Sequence, residues 1–127
     1  MTTDPVHPSH YRNAEGKQII DVLRNLPFSI GNVLKYVYRN SKKGHAVQDL
    51  QKALWYLDDF YHNPVSDTIP SSFDDLIDGS FEKEAFTKIF ELYEAVGTDS
   101  FNKRYSDAKQ FIEERISSLT DSDSHSL

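Results

Sequence analysis

Along the 127 residues, apolar positions recur every three or four, and no stretch alternates as a half-buried strand would. The pattern predicts an all-α fold. Residues 1–14 begin irregularly, because Pro5 and Pro8 oppose early regular structure. Ile19, Ile20, Leu23 and Leu26 predict a first helix over about 17–26, stopped by Pro27. Ser29 is the expected N-cap of a second helix that runs to about Lys43 and stops at Gly44. Val47, Leu50, Leu54, Leu57 and Tyr61 predict a third over about 46–62. "NPVSDTIPSS" (63–72), with two prolines, reads as a linker. After it come "SFDDLIDG" as a short helical turn, a helix over 80–96 capped by Ser80 and closed by Gly97, and a last helix over 100–119. The tail "TDSDSHSL" is expected to be disordered.

The second helix is divided into two faces. At 100° per residue, Ile30, Val33, Leu34 and Val37 cluster on one side, while Asn32, Lys35, Tyr36, Arg39 and Lys43 cluster on the other. The third helix repeats the design, with Asp49, Lys52 and Tyr56 opposite its leucine stripe. An antiparallel pairing through a tight turn at Gly44-His45 would merge the two polar faces, with Asp49 holding Arg39 or Lys52 in place. A charged helical face is ordinarily just solvated. This one, however, carries no acid from Asn32 to Lys43, and its cations at i,i+4 repel by some tenths of a kcal/mol each. Arginine offers a fixed fork of donors, lysine a point charge, asparagine a neutral donor and acceptor, and tyrosine a ring on which a base can stack. Together they suit a phosphorylated ligand.

Charge is unevenly distributed. Residues 1–63 carry eight Lys/Arg against six Asp/Glu, net +2, whereas residues 64–127 carry six against fourteen, net −8. The chain therefore reads as a helical domain over 1–63 followed by an acidic helical segment over 64–127. The total of −6 argues against bulk binding of duplex DNA. With no cysteine, disulfides and thiolate metal sites are excluded. No apolar run approaches a membrane span, and the polar N-terminus is unlike a signal peptide, so the expected location is the cytoplasm. About 50 residues bury too little apolar surface to be secure alone. Either the later helices or a second copy should therefore cover the leucine stripe, and a homo-oligomer is expected.

Four stretches, "SHY", "GKQIID", "GNVLKYVYRNSKKG" and "DLQKALWYL", occur in this order over residues 9–57. They resemble a small phage and prophage family of nucleotide-kinase-like proteins, long catalogued as a domain of unknown function, which includes a coliphage nucleotide kinase without a P-loop. The matching positions are His10, Tyr11, Asp21, Gly31, Asn32, Lys35, Tyr36, Arg39, Lys43, Asp49, Leu50, Lys52, Ala53, Tyr56 and Leu57. The resemblance implies nucleotide binding by His10, Tyr11, Asn32, Lys35, Tyr36, Arg39, Lys43, Lys52 and Tyr56, with Asp21 and Asp49 as catalytic carboxylates. It also implies a bacterial host cytoplasm. Where the family carries Glu, this chain has Gln18, which removes a carboxylate base or metal ligand and shifts weight from phosphoryl transfer to binding.

No GxxxxGK[ST] motif occurs, so a Walker-type kinase is excluded. Phosphoryl transfer would have to use side-chain cations and Mg²⁺ on Asp21 or Asp49. His7 and His10 lack an evident third ligand for zinc. Trp55, Phe60 and Tyr61 read as core or interface rather than as base-stacking groups. Three functions remain: a nucleoside monophosphate kinase-like enzyme, a non-catalytic nucleotide binder that sequesters a nucleotide signal or modulates a host enzyme, and a helical interaction module that uses the acidic half.

Overall fold

The computed structural model describes residues 19–42, 44–66 and 76–125. Five helices occur among them: α1 (Ile19–Leu23), α2 (Phe28–Arg39), α3 (Ala46–His62), α4 (Ser80–Glu94) and α5 (Phe101–His125). No strand occurs among the described residues. The all-α expectation is met.

The largest helix–helix interface joins α2 to α3, and the pair is antiparallel. Phe28 meets Tyr56 at one end and Arg39 meets Asp49 at the other. Gly44 lets the chain reverse between them: its φ of +74° lies in the left-handed region that side chains disfavour. On the inner side, Ile30, Val33, Leu34 and Val37 are fully buried against Leu50, Ala53 and Leu57. The other wall of this core comes from the acidic half. Ala85, Phe86, Ile89 and Leu92 of α4 and Ala108 and Ile112 of α5 belong to the same buried cluster. Each fully buried large apolar side chain contributes roughly 1.5–3 kcal/mol, so α4 and α5 supply much of what the first three helices lack. The leucine stripe is thus covered within the chain.

Several boundaries differ from expectation. The first helix ends at Leu23 rather than near Leu26, and the expected start at Lys17 lies outside the described residues. α2 begins at Phe28 with Pro27 as N-cap. Ser29 lies within its first turn, and its hydroxyl donates to the Asp59 carboxylate on α3 instead of capping. α2 also stops at Arg39, short of Lys43. There the buried Asn40 turns inward, donating from Nδ2 to the Val37 carbonyl and, at 2.7 Å, to Glu82 Oε2 on α4. α4 is capped by Gly79 rather than Ser80. A Cβ at position 79 would fall 1.8 Å from Glu82 Oε1, so the buried Glu82 carboxylate occupies the space that only glycine leaves open. The last helix runs to His125 instead of ending near Leu119, with no proline or glycine between 101 and 125 to break it. Residues 120–125 are therefore helical, not disordered.

The α3–α5 seam is aromatic. Tyr61 stacks on Tyr105 at 4.1 Å and on Phe101 at 5.4 Å between ring centroids. Tyr105 donates to Asp58 Oδ1 at 3.1 Å, and Tyr61 to Asn102 Oδ1 at 2.7 Å. Burial, together with the Asp58 carboxylate, pushes the Tyr105 phenol up to about 12. Among the described residues, no helix is long and apolar enough to cross a membrane.

Candidate functional site

The polar sides of α2 and α3 do form one surface. Its centre is a pair of stacked phenols: Tyr36 on α2 and Tyr56 on α3, 6.0 Å apart between centroids and inclined by 11°. Helical spacing then delivers three cations to Tyr36. Lys35 Nζ lies 5.0 Å from its ring centroid, Lys52 Nζ 5.4 Å and Arg39 Cζ 5.5 Å. Lys52 reaches across from α3, so the convergence depends on the antiparallel pairing and not on α2 alone.

Asp49 lies beneath these cations. Its side chain is only 2% exposed, and Oδ2 faces Arg39 Nε at 3.5 Å. Both atoms are buried and neither makes a hydrogen bond, so they form an ion pair at contact distance rather than a hydrogen-bonded one. Of the two partners foreseen for Asp49, Arg39 is the one it meets. The contact uses the Nε edge of the guanidinium and leaves the two terminal nitrogens for another acceptor. Among the described residues, Arg39 is the only one of the three cations with an ion-pair partner.

Asn32 lies one turn from Tyr36 and commits an N–H to the Phe28 carbonyl at 2.9 Å. Asp21, on α1, is half-exposed and ion-paired with Arg24 at 3.5 Å, outside the Tyr36–Tyr56 group. Of the two carboxylates expected as Mg²⁺ ligands, Asp49 is enclosed with Arg39 and Asp21 is paired with Arg24. Among the described residues, no group of three or more His, Asp or Glu could hold a metal ion. His10, Tyr11 and Lys43 lie outside the described residues, as does Gln18.

Two residues of this surface are absent from the sequence-derived site. Phe28 is 74% exposed and Trp55 65% exposed, and both abut Tyr56, at 5.8 and 5.0 Å between centroids. Of the two places expected for Trp55, core or interface, the core is not the one it takes. On α3 it lies one position before Tyr56, rotated away from the leucine stripe. A signal was present: Trp55 falls outside the stripe set by Leu50, Leu54 and Leu57. Phe60 meets the expectation, being fully buried. A separate cleft of about 510 Å³ lies at the α2–α3 turn, lined by Asn40, Gly44, His45 and Leu119 among others; Lys35, Arg39 and Lys52 do not line it.

Residues 6–58 match the model of a family described as a protein of unknown function (DUF3310). The match covers α1, α2 and most of α3 and takes in the whole cationic surface, while α4 and α5 lie beyond it. No curated protein and no solved structure matches the chain.

Proposed function

We propose that the α2–α3 surface binds a nucleotide or another phosphorylated small molecule, with Lys35, Arg39 and Lys52 as its anion contacts. The observation that carries this is the convergence of three cations on the single ring of Tyr36. Stability does not account for it. An exposed cation–π contact is worth about 0.5–1 kcal/mol, and each added like charge erodes the gain. A phosphate group reverses the balance, because each charge-assisted hydrogen bond contributes roughly 1.5–3 kcal/mol.

In this reading Asp49 is a positioning residue. It holds the Nε edge of Arg39 and turns the terminal nitrogens toward a bidentate acceptor. Tyr36 and Tyr56 form the floor. The resemblance to phage nucleotide-kinase-like proteins supports the ligand class, and it assigns His10, Tyr11 and Lys43 to the same site. A phage or prophage setting follows from it as well. Phosphoryl transfer is the second reading, supported by that resemblance, which assigns Asp21 and Asp49 as its carboxylates. Binding through side-chain cations predicts only partial dependence on Mg²⁺.

A nucleotide panel followed by thermal shift, with and without Mg²⁺, tests the proposal. At a hundredfold excess over Kd, a ligand should stabilise the fold by about 2.7 kcal/mol. Nucleotides should raise the Tm and nucleosides should not. Absence of any shift with nucleotides or pyrophosphate would sink it. Incubation with ATP and each deoxynucleoside monophosphate separates the two readings: diphosphate that forms with the native chain and fails to form with Asp21→Asn establishes the enzyme.

A further inference from the structure

The surface has a direction. Along α2 it passes from Phe28 through Asn32 to Lys35, Tyr36 and Arg39, twelve residues and about 16 Å of rise. Along the antiparallel α3 it passes the same way, from Tyr56 and Trp55 to Lys52 and then Asp49. Both helices are aromatic at one end of the shared face and cationic at the other. Among the described residues, the exposed large apolar side chains are Phe28, Trp55 and Val65, and the first two flank one ring. Both stand nearly perpendicular to Tyr56, at 71° and 81°, so neither is stacked face to face on it.

We propose that Trp55 and Phe28 form a base-stacking end for this surface, so that its ligand is a nucleoside phosphate and not a phosphate group alone. This rests on the reading of Lys35, Arg39 and Lys52 as the anion contacts. Water is a poor solvent for two exposed rings, and a planar heterocycle is a suitable cover. Stacking of a base on an aromatic side chain is worth about 1–3 kcal/mol. On α3 the nearest cation, Lys52, comes three residues before Trp55, about 4.5 Å of helical rise. A second copy of the chain is the less suitable cover. Two-fold pairing through this face would bring two sets of Lys35, Arg39 and Lys52 close together.

The chain has a single tryptophan beside seven tyrosines, so fluorescence excited at the red edge, beyond tyrosine absorption, reports on Trp55 alone. The full-length protein is titrated with purine nucleoside monophosphates and with ribose 5-phosphate, followed by fluorescence and by calorimetry. Nucleoside phosphates should quench the signal saturably and bind more tightly than ribose 5-phosphate. In Trp55→Ala that preference should fall roughly 5- to 150-fold, toward parity. Because Trp55 is exposed, the variant should keep its circular dichroism spectrum, and Trp55→Phe should restore part of the preference. Equal binding of both ligands by the native chain would overturn the base-stacking end while leaving the anion site standing. So would a preference unchanged in Trp55→Ala but lost with overall binding in Arg39→Ala. A concentration-dependent dimer that buries Trp55 and dissociates in Trp55→Ala would assign the rings to self-association instead. Failure of every anion to bind would remove both readings together.

Discussion

Two of the stacked aromatic pairs that carry cations among the described residues, one in each half, are not equivalent. Phe81 and Phe111 join α4 to α5, with centroids 5.1 Å apart and planes inclined by 11°. Each ring has one cation: Arg115 lies 5.1 Å from Phe81, and Lys88 lies 5.4 Å from Phe111. Lys88 is also paired with Glu84 at 3.7 Å. Tyr36 and Tyr56 join α2 to α3 at the same inclination, but three cations crowd one ring. Arg39 and Arg115 both bury an Nε without a hydrogen bond, yet among the described residues only Arg39 of the two has a carboxylate set against it. A ring with one cation closes a helix seam. A ring with three, on a surface without exposed acid between residues 32 and 43, carries more positive charge than the seam requires, which is the basis of the proposed anion site.

The largest expected effect concerns the dependence of one half on the other. Removing residues 64–127 uncovers Ile30, Leu34, Leu50 and Leu57, all fully buried in the intact chain. The remaining chain should lose its cooperative thermal transition, as read by circular dichroism. A sharp melt at the native temperature would show that the α2–α3 pair stands alone and that the acidic half is an appendage.

Next come the two arginines. Arg39→Ala removes a charge-assisted contact worth roughly 1.5–3 kcal/mol and should weaken nucleotide binding at least about tenfold, with helicity intact. Arg115→Ala, at the phenylalanine pair, should leave affinity unchanged. If the two variants bind alike, the surplus of cations at Tyr36 has no functional meaning.

The smallest effect is at the α3–α5 seam. Tyr105 is raised from 10.0 to about 12 by burial and by Asp58, so its neutral form is favoured in the folded state. The contribution to stability is fully present below pH 10 and is lost as pH rises through about 12. In an absorbance titration, one phenol should ionise late, and Asp58→Asn should move that step toward 10. An unchanged titration in Tyr105→Phe would remove the assignment.

Helical periodicity made the fold class readable, together with the two faces of α2 and the span of α3, which runs from Ala46 to His62 as expected. It also brought Lys35, Tyr36, Arg39, Lys52 and Tyr56 to one surface, because i,i+3 and i,i+4 spacing is a local property of the chain. What it could not show are the contacts made at long sequence separation. Ser29 has the chemistry of an N-cap, and nothing near it in the chain reveals that Asp59, thirty residues away, takes its hydroxyl instead. Asn40 stops α2 because Glu82 waits on α4, forty-two residues on. Trp55 reads as either core or interface for a different reason: a large apolar side chain is usually buried, although its angular position on the helix sets it outside the leucine stripe.

The bond between Asn40 and Glu82 bears on how portable the surface is. Asn40 follows Arg39 directly, and the turn it makes fixes where the last cation of α2 comes to rest. Transplanting residues 19–62 into another helical scaffold would leave that amide without its carboxylate. A graft that keeps Arg39 in register would need an acidic side chain supplied from below, at the first turn of a crossing helix. It would also need a glycine three residues earlier, where a Cβ would collide with Glu82. The cationic surface and its mount are therefore inherited together: a residue pair deep in the second half sets the aim of a side chain on the outside of the first.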